Sequence, residues 1–322
     1  AQRTANDLGG VAGELASLLA MPDDPTTPLR GDLGARRQVA WIPPLPLHEV
    51  RTVSRALGAT INDVLLSVVA GALGRYLREI GTDTTGLSIR ATVPVNLRPA
   101  DEEMRLGNRF GLVLLDLPVG LEHPLERLYA VRAAMRALKD SRQPVATYAV
   151  LNALGRLPAA LEQLTIDTLS RKSSVVISNV PGPRQRLYLC GKPIAEMYFW
   201  VPQSGSIGLG ISILTYVDEV LFGLVADRQR VPEPHRVIGH FAAEFERLAL
   251  LTVLGAAHAR PPRLPPPPKA PTGPADPARP RRARKTSRTT GPAGSAERAP
   301  APPRTSSRRP RRAPGKPPRG RP

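Results

Sequence analysis

The chain has 322 residues and a formal net charge of +18, yet residues 259–322 hold 18 Lys and Arg against Asp276 and Glu297, while residues 1–258 hold 27 basic and 25 acidic side chains. The near-neutral body gives no electrostatic case for nucleic-acid binding, and it is long enough for one large or two small cores. The single cysteine, Cys190, excludes an internal disulfide, and the longest uncharged run, Met197 to Val217, is interrupted by Pro202-Gln203-Ser204-Gly205-Ser206, which argues for two strands and a loop rather than a membrane span.

Residues 1–40 read as a linker with one short helix near Val11 to Leu19, broken by Pro22, Pro25 and Pro28. Leu47 to Leu57 predicts a short helix. Thr60 to Ile80 predicts a long one, with Thr60 as N-cap, Asp63 three residues on and Gly81 as terminator. Its apolar positions Val64, Leu65, Val68, Val69, Leu73, Tyr76 and Leu77 share a face. Alternation from Leu87 to Val95 predicts a half-buried strand. The apolar run Phe110 to Val119 suits a central strand.

His123 to Ser141 returns to helical spacing, with Arg127, Arg132, Arg136 and Lys139 largely off the apolar face. Two further helical segments, Val145 to Leu154 and Pro158 to Leu169, lead into a strand from Val175 to Val180. That strand is expected to stop at Pro181-Gly182-Pro183, because proline cannot donate to a ladder. Leu187 to Cys190 and Ile194 to Val201 read as strands, and Ile207 to Tyr216 with Val220 to Ala226 as a hairpin. One face of its first arm carries Gly208, Gly210 and Ser212, which lets something approach the backbone closely. Glu233 to Leu250 closes the body as an amphipathic helix. The sum is an α/β domain over 41–258, with helices packed on a mixed sheet.

Residues 259–322 are a different material. They hold 19 of the 37 prolines and almost no aliphatic side chains, so they cannot bury enough apolar area to offset chain entropy. A disordered basic tail is expected. It suits an anionic membrane or lipid-droplet surface, and less well nucleic acid; the plain alternative is compositional drift with no role.

A self-sufficient catalytic site is not visible. There is no HExxH, GxSxG or P-loop, and the histidines His48, His123, His235, His240 and His258 stand singly, so neither a catalytic residue nor a metal set is assigned. Asp63 is explained by helix capping; Asn62 is not, and is the better functional candidate. Cys190 reads as inert core and Asp227 with Arg228 as a turn ion pair. Ser178-Asn179, polar and pressed against the rigid turn, fits either turn chemistry or a sheet end that meets a ligand.

Taken in order, "GATINDVLLSVVAGALGRYL" (58–77), "IRATVPVNLRP" (89–99), "LGNRFGLVLLDLPVG" (106–120), "SSVVISNVPGPRQRLYLCGKPI" (173–194) and "ISILTYVDEVLFGLVADRQRVPEP" (211–234) resemble the C-terminal half of bacterial wax ester synthase/diacylglycerol acyltransferases. The resemblance runs from about Pro28 to Leu250. It implies one half of the two-domain fold of chloramphenicol acetyltransferase, and residues 1–40 as a remnant of the interdomain region. It also implies acyl transfer from acyl-CoA, a substrate rather than a cofactor, to a diacylglycerol or a fatty alcohol. The family's HHxxxDG motif, whose histidine deprotonates the alcohol, has no counterpart here. The chain is therefore expected to be inactive alone and to need a separate N-terminal half; the alternative is a noncatalytic lipid-binding protein of the same fold. By resemblance Asn62 and Asp63 match the family's Asn-Asp motif, and Ser178, Asn179 and Gly182 join them as support for the substrate site. Arg98, Asn108, Pro181 and Pro183 match motifs expected to be structural. The expected location is cytoplasmic, peripheral to a membrane or lipid droplet.

Overall fold

A computed structural model describes Ser17 and residues 20–98, 109–139, 141–154, 166–203 and 205–255. The chain divides into two units, 1–266 and 267–322, and all described residues belong to the first. All but Ser17 of the expected helix at Val11 to Leu19, most of that at Pro158 to Leu169, Asn108 and the tail 259–322 fall outside them.

The described elements run β1 (Arg37–Trp41), β2 (Leu45–Pro46), α1 (Leu47–Ala56), α2 (Ile61–Glu79), β3 (Ile89–Asn96), β4 (Phe110–Leu117), α3 (Pro124–Lys139), α4 (Gln143–Leu154), β5 (Val175–Pro181), β6 (Tyr188–Leu189), β7 (Lys192–Pro193), β8 (Leu209–Tyr216), β9 (Glu219–Asp227) and α5 (Pro234–Val253). The main sheet has the order β1-β9-β8-β5-β3-β4, with β2 also pairing with β9. It is mixed: β5 runs parallel to both β3 and β8, and the other pairs are antiparallel. β1 starts at Arg37, inside the segment read as linker, and only Ala40 of its five residues is buried.

Helix α2 is the centre of the core. Thr60 and Asp63 form a full capping box, with Asp63 N–H donating to Thr60 Oγ1 at 3.1 Å and Thr60 N–H to Asp63 Oδ2 at 2.9 Å. Burial extends beyond the expected face to Leu66, Ala70 and Ala72, because α1, α3 and α5 all lie against it on the sheet face lined by Ile89, Ile177, Ile211 and Phe222. Across this layer Phe222 meets Phe241 edge-on, with centroids 5.0 Å apart.

Arg127 is a correction. It is 1% exposed and donates through Nε to Ser67 O (3.0 Å), through Nη1 to Leu121 O (2.8 Å) and Glu122 O (3.2 Å), and through Nη2 to the buried Glu244 of α5. Burial pushes its pKa down while Glu244 pulls it up. A Cβ at Gly71 would strike both members of this pair, so the α2 glycine is what lets them meet.

Four other expectations change. β4 lies at the sheet's edge rather than its centre, and α4 covers it: Leu112 N–H donates to Thr147 Oγ1 (2.7 Å), that hydroxyl donates back to Leu112 O (2.8 Å), and Leu114 N–H donates to Gln143 Oε1 (3.1 Å). Side chains of a helix thus stand in for a neighbouring strand. The prolines do not stop pairing at β5, because Gly182 between them donates to Thr215 O (2.8 Å) and Pro183 O accepts from Val217 N–H (2.9 Å). Residues 194–201 form no strand; instead Met197, Tyr198 and Phe199 pack over the far ends of β8 and β9, against Leu214, Tyr216 and Leu221. Cys190 is exposed, not core: with φ of 49° and Gly191 at 76° it forms the tight turn between β6 and β7.

Candidate functional site

Strands β3, β5 and β8 are mutually parallel, so their C-terminal ends reach the same sheet edge, where ligands gather in open α/β sheets. A groove of about 860 Å³ opens there on the face away from α2. Its floor is built from alternate residues: Thr92, Pro94 and Asn96 of β3, Phe110 and Leu112 of β4, and Val176, Ser178 and Val180 of β5. Phe199, Trp200, Val201 and Pro202 form one wall, and Ile166, Leu169 and Ser170 another.

The glycine face of β8 receives that first wall. A Cβ at Gly210 would lie 2.9 Å from Val201 O, and one at Gly223 would lie 2.9 Å from the Trp200 ring. What approaches the glycine backbone is the chain's own segment 199–201. Trp200 in turn stacks on Tyr198 (6.3 Å, 9°) and lies 6.3 Å from Trp41; both tryptophans remain exposed. The Tyr198 phenol donates to Glu196 Oε2 at 2.8 Å, and burial together with that carboxylate raises its pKa, so it stays protonated.

Asn179 and Asn62 are brought together. Asn179 Nδ2 donates to Asn62 Oδ1 at 2.8 Å, joining the end of β5 to the first turn of α2. Asn179 lines the groove and Asn62 lies behind it, so Asn62 reaches the groove only through Asn179. Ser178 faces the groove directly. Asp63 stays in its capping box, 5% exposed. Gly182 is a close-approach residue, since a Cβ there would strike Thr215 O. Arg98 and Pro181 also line the groove, and Arg98 N–H donates to Asn96 Oδ1 at 2.9 Å.

Asp227 is fully buried, and its partner is Arg37 (2.5 Å), not Arg228; it also accepts from Gly34 and Gln229 N–H at 2.9 Å. It is a structural clamp between β9 and β1 and is not part of the groove lining. His48, His123, His235 and His240 do not line the groove either, and His240 pairs with Glu79 at 3.0 Å. Sequence reasoning missed Arg109, Phe110 and the wall at 199–202; the aromatic run Tyr198-Phe199-Trp200 was the available signal. Among the described residues no cluster of His, Cys, Asp and Glu can hold a metal, and no single helix is long and apolar enough to cross a membrane.

Residues 106–249 match the model of the WS/DGAT C-terminal domain. The chain belongs to the wax ester synthase/diacylglycerol acyltransferase family. A Mycobacterium tuberculosis relative, named as a candidate diacylglycerol O-acyltransferase, is 35% identical over 223 residues, 67% of this chain and 48% of its own length. A Mycobacterium bovis relative of the same designation is 33% identical over 248 residues, 72% of this chain and 47% of its own. The chain therefore spans about half the length of these family members. Among solved structures, the wax ester synthase/diacylglycerol acyltransferase of Marinobacter aquaeolei superposes with a TM-score of 0.58 at 27% identity, covering 76% of this chain and 57% of that one. A nonribosomal peptide synthetase superposes at 0.50 with 17% identity over 76% of this chain and 24% of its own, which shows the fold alone.

Proposed function

We propose that this chain is the C-terminal half of a lipid O-acyltransferase, which moves an acyl group from acyl-CoA to the hydroxyl of a diacylglycerol or a long-chain alcohol. One observation carries the reading: the groove combines apolar walls with a polar strand end at Ser178 and Asn179, yet its described lining holds no carboxylate and no imidazole. An apolar channel with convergent amides suits a long acyl chain and its carbonyl. A neutral alcohol still needs a positioned base before it attacks a thioester. Among the described residues the groove lining offers hydroxyl, amide and guanidinium side chains as its polar groups, none of which accepts a proton near neutral pH. The base therefore comes from an N-terminal half, joined to this sequence or separate, and this chain alone is inactive.

The test is to coexpress residues 1–322 with an N-terminal half from a family member and to assay transfer from palmitoyl-CoA to diolein and to hexadecanol. Turnover above that of the N-terminal half alone is expected; no gain removes the reading. The exposed Trp41 and Trp200, clustered with the half-buried Tyr198, favour a second one, a noncatalytic lipid-surface protein held also by the basic tail. Flotation with anionic liposomes, with and without residues 259–322, separates the two: binding that needs the tail, without turnover in the paired assay, selects it.

A further inference from the structure

The aromatic patch at the β1 edge is open. Trp41 of β1, Trp200 and the half-buried Tyr198 stand with ring centroids 6.0 to 6.3 Å apart. Both indoles are exposed, as is Val39, two residues before Trp41 on the same strand face. The rim of the patch is acidic. Glu196 accepts from the Tyr198 phenol at 2.8 Å, and Glu219 is near enough for its charge to act on the same phenol. A carboxylate rim repels anionic groups and draws cationic ones. The sequence supplies a matching segment: residues 260–266, in the first unit and outside the described residues, read Arg-Pro-Pro-Arg-Leu-Pro-Pro. Prolines so spaced favour polyproline II, which loses little entropy on docking and is recognised by aromatic-lined surfaces. Helix α5 packs on β1 and β9, and its Phe241 meets Phe222, beside the Gly223 that pairs with Trp41. From that level to Gly255, the last described residue, helical rise covers about 21 Å. The ten residues that follow, to Pro265, span up to about 33 Å. Because β1 is the sheet's edge strand, the route from α5 to the Trp41 face goes round that edge and lies within this reach.

We infer that Arg260 to Pro266 docks on the Trp41–Tyr198–Trp200 patch of its own chain. The prolines lie against the indole faces, and Arg263 meets the rim formed by Glu196 and Glu219. The aromatic faces supply apolar area to rings that carry no N–H, and the tether keeps the segment near the patch at a high effective concentration. Docking of this kind is independent of the acyltransferase reading, which turnover tests separately.

Trp41 and Trp200 are the chain's two tryptophans, so intrinsic fluorescence reads this patch. The experiment compares emission maximum and acrylamide quenching of the full chain with those of the full-length variant P261G/P262G/P265G/P266G. These substitutions touch none of the described contacts, so the fold of the body is not at stake. The wild type is expected to emit at shorter wavelength and to be quenched less, by about twofold or more, since a tethered ligand acts at roughly millimolar effective concentration. A synthetic peptide of residues 260–266 should protect the quadruple variant and leave the wild type nearly unchanged, and Arg263→Glu should raise quenching. Equal quenching of wild type and quadruple variant overturns docking, as does failure of the peptide to protect that variant. A blue shift on adding phosphatidylglycerol vesicles, or an N-terminal half, then names the occupant instead. Protection that appears only as protein concentration rises places the segment on a second copy and overturns docking within one chain.

Discussion

Glu244→Ala is the sharpest probe of the core. It leaves Arg127, 1% exposed, with three neutral carbonyl acceptors and no counter-charge. Breaking a buried pair from one side costs about 3–5 kcal/mol, because the remaining ion keeps its desolvation penalty and loses its partner. Arg75 and Arg247 also lose Glu244, at 3.3 and 2.9 Å, but they are 35% and 43% exposed and water screens them, so they add little. For a domain of this size that loss corresponds to a fall in Tm of roughly 6–20 °C. Urea and thermal unfolding should be measured for Glu244→Ala, and for the cycle of Arg127→Met, Glu244→Leu and the two together. The double replacement by apolar groups is expected to be less costly than Glu244→Ala, since no charge stays buried. A loss below about 1 kcal/mol for Glu244→Ala, or strict additivity in the cycle, would refute the argument that this pair is held by mutual charge compensation.

Other outcomes follow from single contacts. Thr147→Val removes both bonds to Leu112 and should cost about 1–3 kcal/mol by urea unfolding; concentration-dependent association measured by light scattering should rise as the β4 edge is uncovered. Asp24 is held by Ser174 and by Arg90 N–H (2.9 Å), and burial pushes its pKa up to about 6 from 3.8. A raised pKa favours folding at low pH: relative to Asp24→Asn, wild-type stability should be greatest below pH 4 and fall by roughly 2–3 kcal/mol as pH rises through about 6, and pH-dependent unfolding curves that run parallel for the two would refute it. Asn179→Ala, which frees Asn62 Oδ1, should lower transfer in the paired-half assay with little change in unfolding midpoint; unchanged turnover removes Asn179 from the site.

Much of the architecture was legible because local and global preferences agree. The Thr60–Asp63 capping box, the β8–β9 hairpin and the closing helix are written in spacings of three to four and of two residues, and each formed within a few positions of its expectation. The candidate site was legible only in part. Asn62 and Asn179 are 117 positions apart, and nothing in either neighbourhood states that they touch. Cys190 and Phe110–Leu117 were misread because apolar composition does not distinguish a turn or an edge strand from the interior.

The sequence alone determined the main helices and the β8–β9 hairpin, the neutral body with its basic end, and the absence of a paired-histidine motif from these 322 residues, since these depend on residue type and short-range periodicity. Only the tertiary structure decided that Arg127 is buried against Glu244, that α4 completes the β4 edge, and that Arg98, Arg109, Ser178 and Asn179 share one groove. The physical reason is the same in each case: a charge, an edge or a cavity is defined by what other chain segments bring to it, and parallel pairing of β3, β5 and β8 collects those segments at one end of the sheet.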